Sequence, residues 1–200
     1  MYDDRLHTDL GPTDGSSRPG DLIGAARCVL LGFDGPVCRP SGRAGAPAGE
    51  LWPTPYADPL IRTLYAVGVR LAVVGDTSPP WAARYLAGRG LAGCFGPHVY
   101  AGVDEALASL GAAPETVLLI GARPAELAAA REAGVPFLGH GPDEARAELL
   151  RAAGARRVVP SLEPVLAAVR AAARHRARGG SPYAGPPAGP SAGPYAEERA

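Results

Sequence analysis

The chain has 200 residues, 46% of them hydrophobic, and its 20 acidic residues balance 20 basic ones. A neutral chain of this size has room for one domain and gives no overall field to attract nucleic acid or an anionic membrane. No apolar run is long enough to span a bilayer, and the three cysteines, Cys28, Cys38 and Cys94, cannot all pair. We therefore expect a cytoplasmic domain with free thiols, and neither nucleic acid nor a membrane among its partners.

Both ends of the chain differ in composition from the middle. Residues 1–22 are polar, and residues 176–200 are rich in Pro, Gly and Ala, with PYA and AGP recurring. Neither segment can bury enough apolar surface to offset the entropy lost on ordering. The composition predicts a disordered N-terminal tail over 1–22, one α/β domain over 23–175 and a disordered C-terminal tail over 176–200.

Short apolar runs alternate with helical patterns between the two tails. Buried parallel strands are predicted at 28–33, 70–74, 116–120, 135–139 and 156–160. Helices are predicted at 59–67, 80–87, 103–110, 124–133, 143–153 and 162–173. This alternation predicts right-handed crossovers and a three-layer α/β/α sandwich around a mostly parallel, Rossmann-like sheet.

Capping residues support these boundaries. Asp58 stands before Pro59 as a predicted N-cap, and Ser161 is placed to cap the last helix. Glycines follow four of the helical patterns, where a left-handed C-cap is expected. These are Gly68, Gly111, Gly134 and Gly154.

Ligands of such sheets bind beyond the carboxyl ends of the strands. The residues that follow the first, second and third predicted strands are 32–37, 75–78 and 121–126. Candidate functional residues are therefore expected in these three segments.

Those segments resemble the motifs of haloacid-dehalogenase-like hydrolases. VLLGFDGPVC resembles the first motif, a strand followed by Asp-x-Asp-Gly; LAVVGDTS resembles the second, a strand that ends in Ser or Thr. TVLLIGARPAELAAAREAGVPFLG resembles the fourth, and AGARRVVPSLEPVLAAV resembles the closing strand and helix. The resemblance runs in the right order from Cys28 to Val169.

The resemblance implies a phosphatase chemistry and assigns positions to it. In that family the first Asp of motif one is the nucleophile, and the second is the general acid and base. A hydroxyl of motif two and a Lys of motif three hold the phosphoryl group, while the motif-four carboxylates bind Mg²⁺. Gly32 stands at the nucleophile position and Asp34 at the acid/base position. The other matching positions are Gly75 for the hydroxyl, and Ala122 and Glu126 for the carboxylates.

Several of these positions have lost the side chain that the chemistry needs. Gly32 has nothing to attack with, Gly75 has no hydroxyl, and Ala122 has no carboxylate. The chain contains no Lys, so His98 is the best substitute near motif three. Only about 40 residues separate Asp34 from the second motif, which predicts that the helical cap domain of many family members is absent or vestigial.

Candidate site residues follow from these positions. Asp34 is the candidate acid or base, and an alternative interpretation makes it a turn former. With Glu126 it is also the candidate ligand pair for Mg²⁺. Candidate residues for binding phosphate or another ligand are Gly35, Gly75, Asp76, Thr77 and Arg123.

Simpler interpretations stand beside several of these candidates. Asp76 is expected to be the N-cap of a helix. Glu126 lies in the first turn of its helix, where the helix dipole stabilises a negative charge. Arg123 could meet an anion at a helix N-terminus. His98 and His140 are expected to be surface residues, and Trp52 and Trp81 packing residues.

Three functional hypotheses remain open. The first is a pseudo-phosphatase that binds a small phosphorylated metabolite or a protein partner without turnover. The second is a weak, Mg²⁺-dependent phosphomonoesterase in which Asp34 activates water directly. The third is an interaction module that works through its tails.

Overall fold

A six-stranded sheet forms the centre of the structure, a computed structural model that describes residues 19–40 and 50–179. Its strand order is β5-β4-β1-β6-β7-β8, and every neighbouring pair is parallel. The strands are β1 (Cys28–Gly32), β4 (Arg70–Val74), β5 (Val99–Tyr100), β6 (Val117–Gly121), β7 (Phe137–His140) and β8 (Val158–Val159). A separate antiparallel pair consists of β2 (Cys38–Pro40) and β3 (Leu51–Pro53).

Helices cover both faces of this sheet. They are α1 (Pro19–Ala25), α2 (Ala57–Ala66), α3 (Pro79–Gly88), α4 (Ala92–Phe95), α5 (Val103–Leu110), α6 (Pro124–Glu132), α7 (Glu144–Ala152) and α8 (Glu163–Gly179). Successive β1 residues enter different cores, since side chains alternate along a strand. Val29 and Leu31 join the larger core under α2, α3 and α8, while Cys28 and Leu30 join the core under α5. The predicted three-layer α/β/α sandwich is confirmed.

The predicted strands and helices are found with small shifts at their ends. β7 begins two residues later than predicted and extends to His140, and β8 contains only Val158–Val159. The prediction missed β2, β3, β5, α1 and α4. β5 and the short α4 were missed because each is too brief to show a hydrophobic period.

Most of the predicted caps are confirmed. Ser161 Oγ accepts a hydrogen bond from the Glu163 backbone N–H at 3.1 Å. The four predicted glycines all have positive φ angles, between 55° and 90°. The Asp58 cap is wrong, because α2 begins at Ala57, two residues earlier than predicted, with Tyr56 at its N-cap. The Asp58 carboxylate instead pairs with Arg89.

The predicted tails lie largely outside the described residues. α1 begins at Pro19, inside the segment predicted as the N-terminal tail, and packs against α8. Ile23 of α1 is 5% exposed and belongs to the larger core. α8 continues to Gly179, beyond the predicted domain end at residue 175. Residues 1–18 and 180–200 are not described.

The insertion between β1 and β4 is small in its described part. It contains the β2–β3 pair and the single helix α2, which agrees with the predicted absence of a full cap domain. Residues 41–49 of this insertion lie outside the described ranges. Among the described helices, none combines the length and the apolar character that a membrane crossing requires.

The left-handed C-cap of α5 gives a direct test of the capping argument. Gly111 has φ 55° and ψ 38°, with open space around it, so a Gly111→Ala variant meets backbone strain and no clash. We expect a loss of about 1 kcal/mol in the free energy of unfolding, measured by urea denaturation. Gly88→Ala is the matched control, since Gly88 also has open space but lies in α3. An equal loss in both variants would contradict the argument.

Candidate functional site

Two cavities open where the carboxyl ends of the strands meet. The smaller has a volume of about 80 Å³ and lies beside β4 and β6, with Gly75, Asp76 and Glu126 in its wall. The larger has a volume of about 870 Å³ and lies on the β7 and β8 side, with Asp34 and Gly35 in its wall. Arg123 lines both. The crevice predicted at this edge of the sheet is therefore present and is divided by one arginine.

The Glu126 carboxylate fills the space beside Gly32. A Cβ atom added to Gly32 would lie 2.6 Å from Glu126 Oε1, closer than real contacts allow. A Cβ atom on Gly121 would lie 2.7 Å from Glu126 Oε2. Gly32 is a strand residue without a positive φ, so it is the lack of a side chain, and not backbone freedom, that this position needs. The space beside the position that the resemblance assigns to the nucleophile is thus occupied by the Glu126 carboxylate of α6.

The chain around the start of α6 fixes this carboxylate. Glu126 Oε2 accepts hydrogen bonds from the backbone N–H groups of Ala122, at 2.8 Å, and Arg123, at 3.1 Å. Glu126 Oε1 lies 3.4 Å from Arg123 Nε and 3.3 Å from Arg123 Nη2. The contact with the Arg123 N–H is the half of a capping box that the residue at N3 supplies, at the N-terminus of α6. Both oxygens of Glu126 are therefore engaged within the chain.

The Arg123 guanidinium pairs with two carboxylates, those of Asp76 and Glu126. Its Nη1 donates to Asp76 Oδ2 at 2.6 Å, while its other donors face Glu126. Burial alone would lower the pKa of the Arg123 guanidinium, but the Asp76 hydrogen bond and the Glu126 charge raise it. Burial raises the pKa of the Glu126 carboxyl, although the two backbone amides and Arg123 oppose the rise. The Asp76 contact is the shorter of the two, but Asp76 is open to solvent whereas Glu126 is 6% exposed, so salt screens the Asp76 pair more than the Glu126 pair.

Asp34 lies at the turn that leaves β1. The turn is tight: the Gly35 N–H donates to the Cys38 carbonyl at 2.6 Å, and Gly35 has φ 104°. The buried Thr54 hydroxyl donates to the Gly35 carbonyl. The half-buried Asp34 lines the larger cavity and makes no hydrogen bond with another described residue. Asp34 is therefore positioned by a turn and also available to a ligand, so both interpretations of it have structural support.

The structure separates the predicted site residues into groups. Asp34 and Gly35 belong to the larger cavity, Gly75 and Asp76 belong to the smaller, and Thr77 lines neither. The expectation that Asp76 caps a helix is wrong, because Ser78 is the N-cap of α3 and Asp76 turns to Arg123 instead.

His98 does not reach this edge of the sheet. It lies just before β5 beside a third cavity, together with residues such as Gly68 and Arg70 at the opposite end of β4. Its Nδ1 is 2.8 Å from the Tyr100 hydroxyl. His98 therefore does not replace the missing Lys of motif three.

Sequence reasoning missed the side chains on the β7 side of the larger cavity. His140, expected at the surface, is 2% exposed and lines this cavity together with Arg39 and Arg146. Burial and the charge of Arg146 lower the pKa of His140 to about 4. The sequence did contain a sign that His140 belongs to this cavity. His140 directly follows the predicted strand 135–139 and therefore lies at the same edge of the sheet as the motif residues.

A magnesium ion does not fit the donors that are present. Mg²⁺ requires several oxygen ligands in octahedral geometry, and the described residues contain no group of three or more His, Cys, Asp or Glu side chains that could hold a metal. Both oxygens of Glu126 face backbone N–H groups or Arg123. The predicted binding of Mg²⁺ by Asp34 and Glu126 would require the Glu126 oxygens to leave these partners, and no chemical step is derived through the ion.

A double-mutant cycle tests whether Glu126 fills the space at Gly32. Gly32→Ala should cost about 1–3 kcal/mol of unfolding free energy by overpacking, and clearly less when combined with Glu126→Ala. Gly121→Ala is the matched control, because its added Cβ would also lie 2.7 Å from the Phe137 ring. Most of its cost should therefore survive in the Glu126→Ala background. Equal costs of Gly32→Ala in both backgrounds would contradict the contact.

The buried histidine predicts a loss of stability in acid. Since the pKa of His140 falls from 6.5 to about 4 on folding, the unfolded chain binds more protons between these values. Stability should therefore fall as the pH drops from about 6.5 to 4, by up to about 3 kcal/mol. The raised pKa of Glu126 acts with the opposite sign. The measurement is urea denaturation at several pH values, and His140→Phe should remove the loss; an unchanged pH profile in that variant would contradict it.

Comparisons with known proteins agree with the architecture. No family model matches the chain, and no curated protein sequence matches it. A haloacid dehalogenase-like protein of unknown function from Agrobacterium tumefaciens superposes with a TM-score of 0.57 and 15% identity, over 74% of this chain and 99% of that chain. A haloacid dehalogenase-like hydrolase from Streptococcus pneumoniae gives 0.57 and 15%, over 72% and 98%.

A third solved structure carries ligands. It is a haloacid dehalogenase family hydrolase from Deinococcus radiodurans with bound phosphate and sodium. It superposes with a TM-score of 0.57 and 20% identity, over 75% of this chain and 97% of that chain. The similarity extends over nearly the full length of all three neighbours. This chain therefore has the haloacid dehalogenase-like fold.

Proposed function

We propose that this chain is a catalytically impaired relative of the phosphatases with this fold, and that it acts by binding a small phosphorylated metabolite without turning it over. The observation that carries the proposal is the Glu126 carboxylate in the space beside Gly32. A binding protein with this fold needs the crevice at the carboxyl ends of the strands and does not need the nucleophile.

The covalent route of the family lacks its first requirement in this chain. A carboxylate that attacks phosphorus needs an oxygen free to approach the phosphoryl group. Glu126 is 6% exposed, and its oxygens face the Ala122 and Arg123 amides and the Arg123 guanidinium. It fills the position without being available as a substitute nucleophile. Nor is Cys38 a substitute, since burial and the charge of Asp34 raise its pKa to about 12.

A small anion suits the larger cavity. Its volume of about 870 Å³ lies within the range of about 300–1,000 Å³ that small-molecule sites occupy. Three arginines and two aspartates line it, and the low pKa of His140 keeps that ring neutral near pH 7. Arg123 is paired with Asp76 and Glu126, and Asp143 caps α7, whereas the guanidinium groups of Arg39 and Arg146 have no partner among the described residues. The charges that remain available therefore favour a negatively charged ligand. A protein partner is the alternative occupant, which binding experiments with small phosphate esters distinguish.

The second candidate function is a weak phosphomonoesterase in which Asp34 activates water. The observation in its favour is that Asp34 lines the cavity with no hydrogen bond to another described residue. A carboxylate in that position could take a proton from a water molecule. This candidate predicts turnover that depends on Asp34.

Hydrolysis of an aryl phosphate in the presence of Mg²⁺ separates the two candidates. We expect no phosphate release by the purified chain above that of Asp34→Ala, and none from Gly32→Asp, because Glu126 occupies the space that the new side chain needs. Asp143→Ala is the matched control, since Asp143 is another aspartate of the same cavity. Turnover that survives in Asp143→Ala and disappears in Asp34→Ala would overturn the proposal and establish the esterase.

A further inference from the structure

A buried histidine nitrogen without a partner marks the far side of the larger cavity. His140 ends β7, is 2% exposed and belongs to the wall of this cavity. Its Nδ1 is buried and has no hydrogen-bond partner among the described residues. Buried polar atoms are almost always paired in folded proteins, so an exception calls for an explanation, such as a ligand.

A hydroxyl group can satisfy Nδ1 in either tautomer of the ring. Burial and the charge of Arg146 lower the pKa of His140 to about 4, so the ring is neutral near pH 7. In a neutral imidazole one nitrogen donates and the other accepts, so Nδ1 needs either an acceptor or a donor. A hydroxyl can act as both, whereas a carboxylate or a carbonyl oxygen can only accept.

Two arginines on the same wall are available to an anion. Arg39 on β2 and Arg146 on α7 both line the cavity, and neither guanidinium group makes a hydrogen bond or ion pair with another described residue. Arg123 differs, because it is paired with Asp76 and Glu126. The Asp143 carboxylate is used as the α7 cap, where it accepts from the Arg146 N–H at 2.8 Å. The uncommitted positive charge therefore lies near His140 and away from the family's phosphoryl position.

The remaining wall is largely apolar and suits a carbon skeleton. Proline rings supply much of it, and the Thr54 hydroxyl is turned to the Gly35 carbonyl. The prolines are Pro40, Pro55, Pro142 and Pro160. Apolar walls with a few fixed polar groups are typical of sites that take small organic molecules.

We propose that this cavity binds a polyhydroxylated organic anion, whose acid group pairs with Arg39 and Arg146 and one of whose hydroxyls forms a hydrogen bond with His140 Nδ1. The site differs from the place where the fold's phosphatases hold their phosphoryl group, since that place is filled by Glu126 and Arg123. This inference rests on the proposed function, in that it supplies the ligand class for a chain that binds without turnover.

Four six-carbon probes separate the charge from the hydroxyls. Gluconate and glucose 6-phosphate carry both features, with a carboxylate and a phosphate respectively; hexanoate has only the charge, and glucose has only the hydroxyls. Calorimetry on the full chain should give affinities for one or both of the first two that are about tenfold higher than for hexanoate or glucose. Whichever of gluconate and glucose 6-phosphate has the higher affinity shows whether the site prefers a carboxylate or a phosphate.

Three variants assign the contacts. Arg146→Ala should weaken binding of the hydroxylated anions about tenfold. His140→Phe should remove most of the preference over hexanoate while leaving hexanoate binding unchanged. Arg151→Ala, on the same helix but paired with Glu144 and outside the cavity wall, should change nothing. Circular dichroism of each variant checks that it is folded.

Several outcomes would overturn the inference. These are binding of neither hydroxylated anion, equal affinity for hexanoate, or an Arg146→Ala variant that binds like Arg151→Ala. Phosphate release from glucose 6-phosphate, measured in the same samples, tests the proposed function separately. Release with intact binding would keep the site and overturn only the claim that turnover is absent.

Discussion

The ion pair between Glu126 and Arg123 is the interaction on which the rest of the site depends. A buried carboxylate is costly unless hydrogen bonds and an opposite charge compensate its lost hydration. The Ala122 and Arg123 amides at the start of α6 supply the first, and the Arg123 guanidinium supplies the second. The carboxylate can lie there only because Gly32 and Gly121 have no side chains.

Several departures from the family pattern then become parts of one arrangement. A side chain at Gly32 would collide with Glu126, and a Cβ on Gly35 would collide with Ala122. Gly75 lies on the other side, where an added Cβ would be 3.9 Å from Arg123 Nη2. Gly32, Ala122 and Arg123 are therefore all neighbours of the Glu126 carboxylate. A side chain restored at Gly32 would disturb that carboxylate.

In this arrangement the charged side chains that remain free to bind a ligand lie on other elements of the fold. With Arg123 neutralised by Asp76 and Glu126, the positive charge open to a ligand lies on Arg39 and Arg146. The strand order places β7 and β8 beyond β6 and away from β4. A ligand site on that side uses the crevice that the fold provides without using the positions of the phosphatase chemistry.

The sequence predicted the architecture better than the site. Apolar runs such as the one in β1 identified the parallel sheet, because buried strands are continuous in hydrophobicity. The same pattern could not show that Glu126 meets Gly32, since that contact joins two elements far apart in the chain. It also misplaced His140, because burial depends on how the turn at Gly35 packs over β7. The prediction that the nucleophile position has no reacting side chain needed only Gly32, whereas finding the Glu126 carboxylate beside Gly32 needed the three-dimensional fold.

A crystal structure of the chain grown with Mg²⁺ and inorganic phosphate is the most direct test of this account. The account predicts that Glu126 Oε2 remains on the Ala122 and Arg123 amides, with its Oε1 against Gly32 and with no metal ion between Asp34 and Glu126. A magnesium ion held by those two carboxylates, with Arg123 displaced and phosphate beside Gly32, would contradict it.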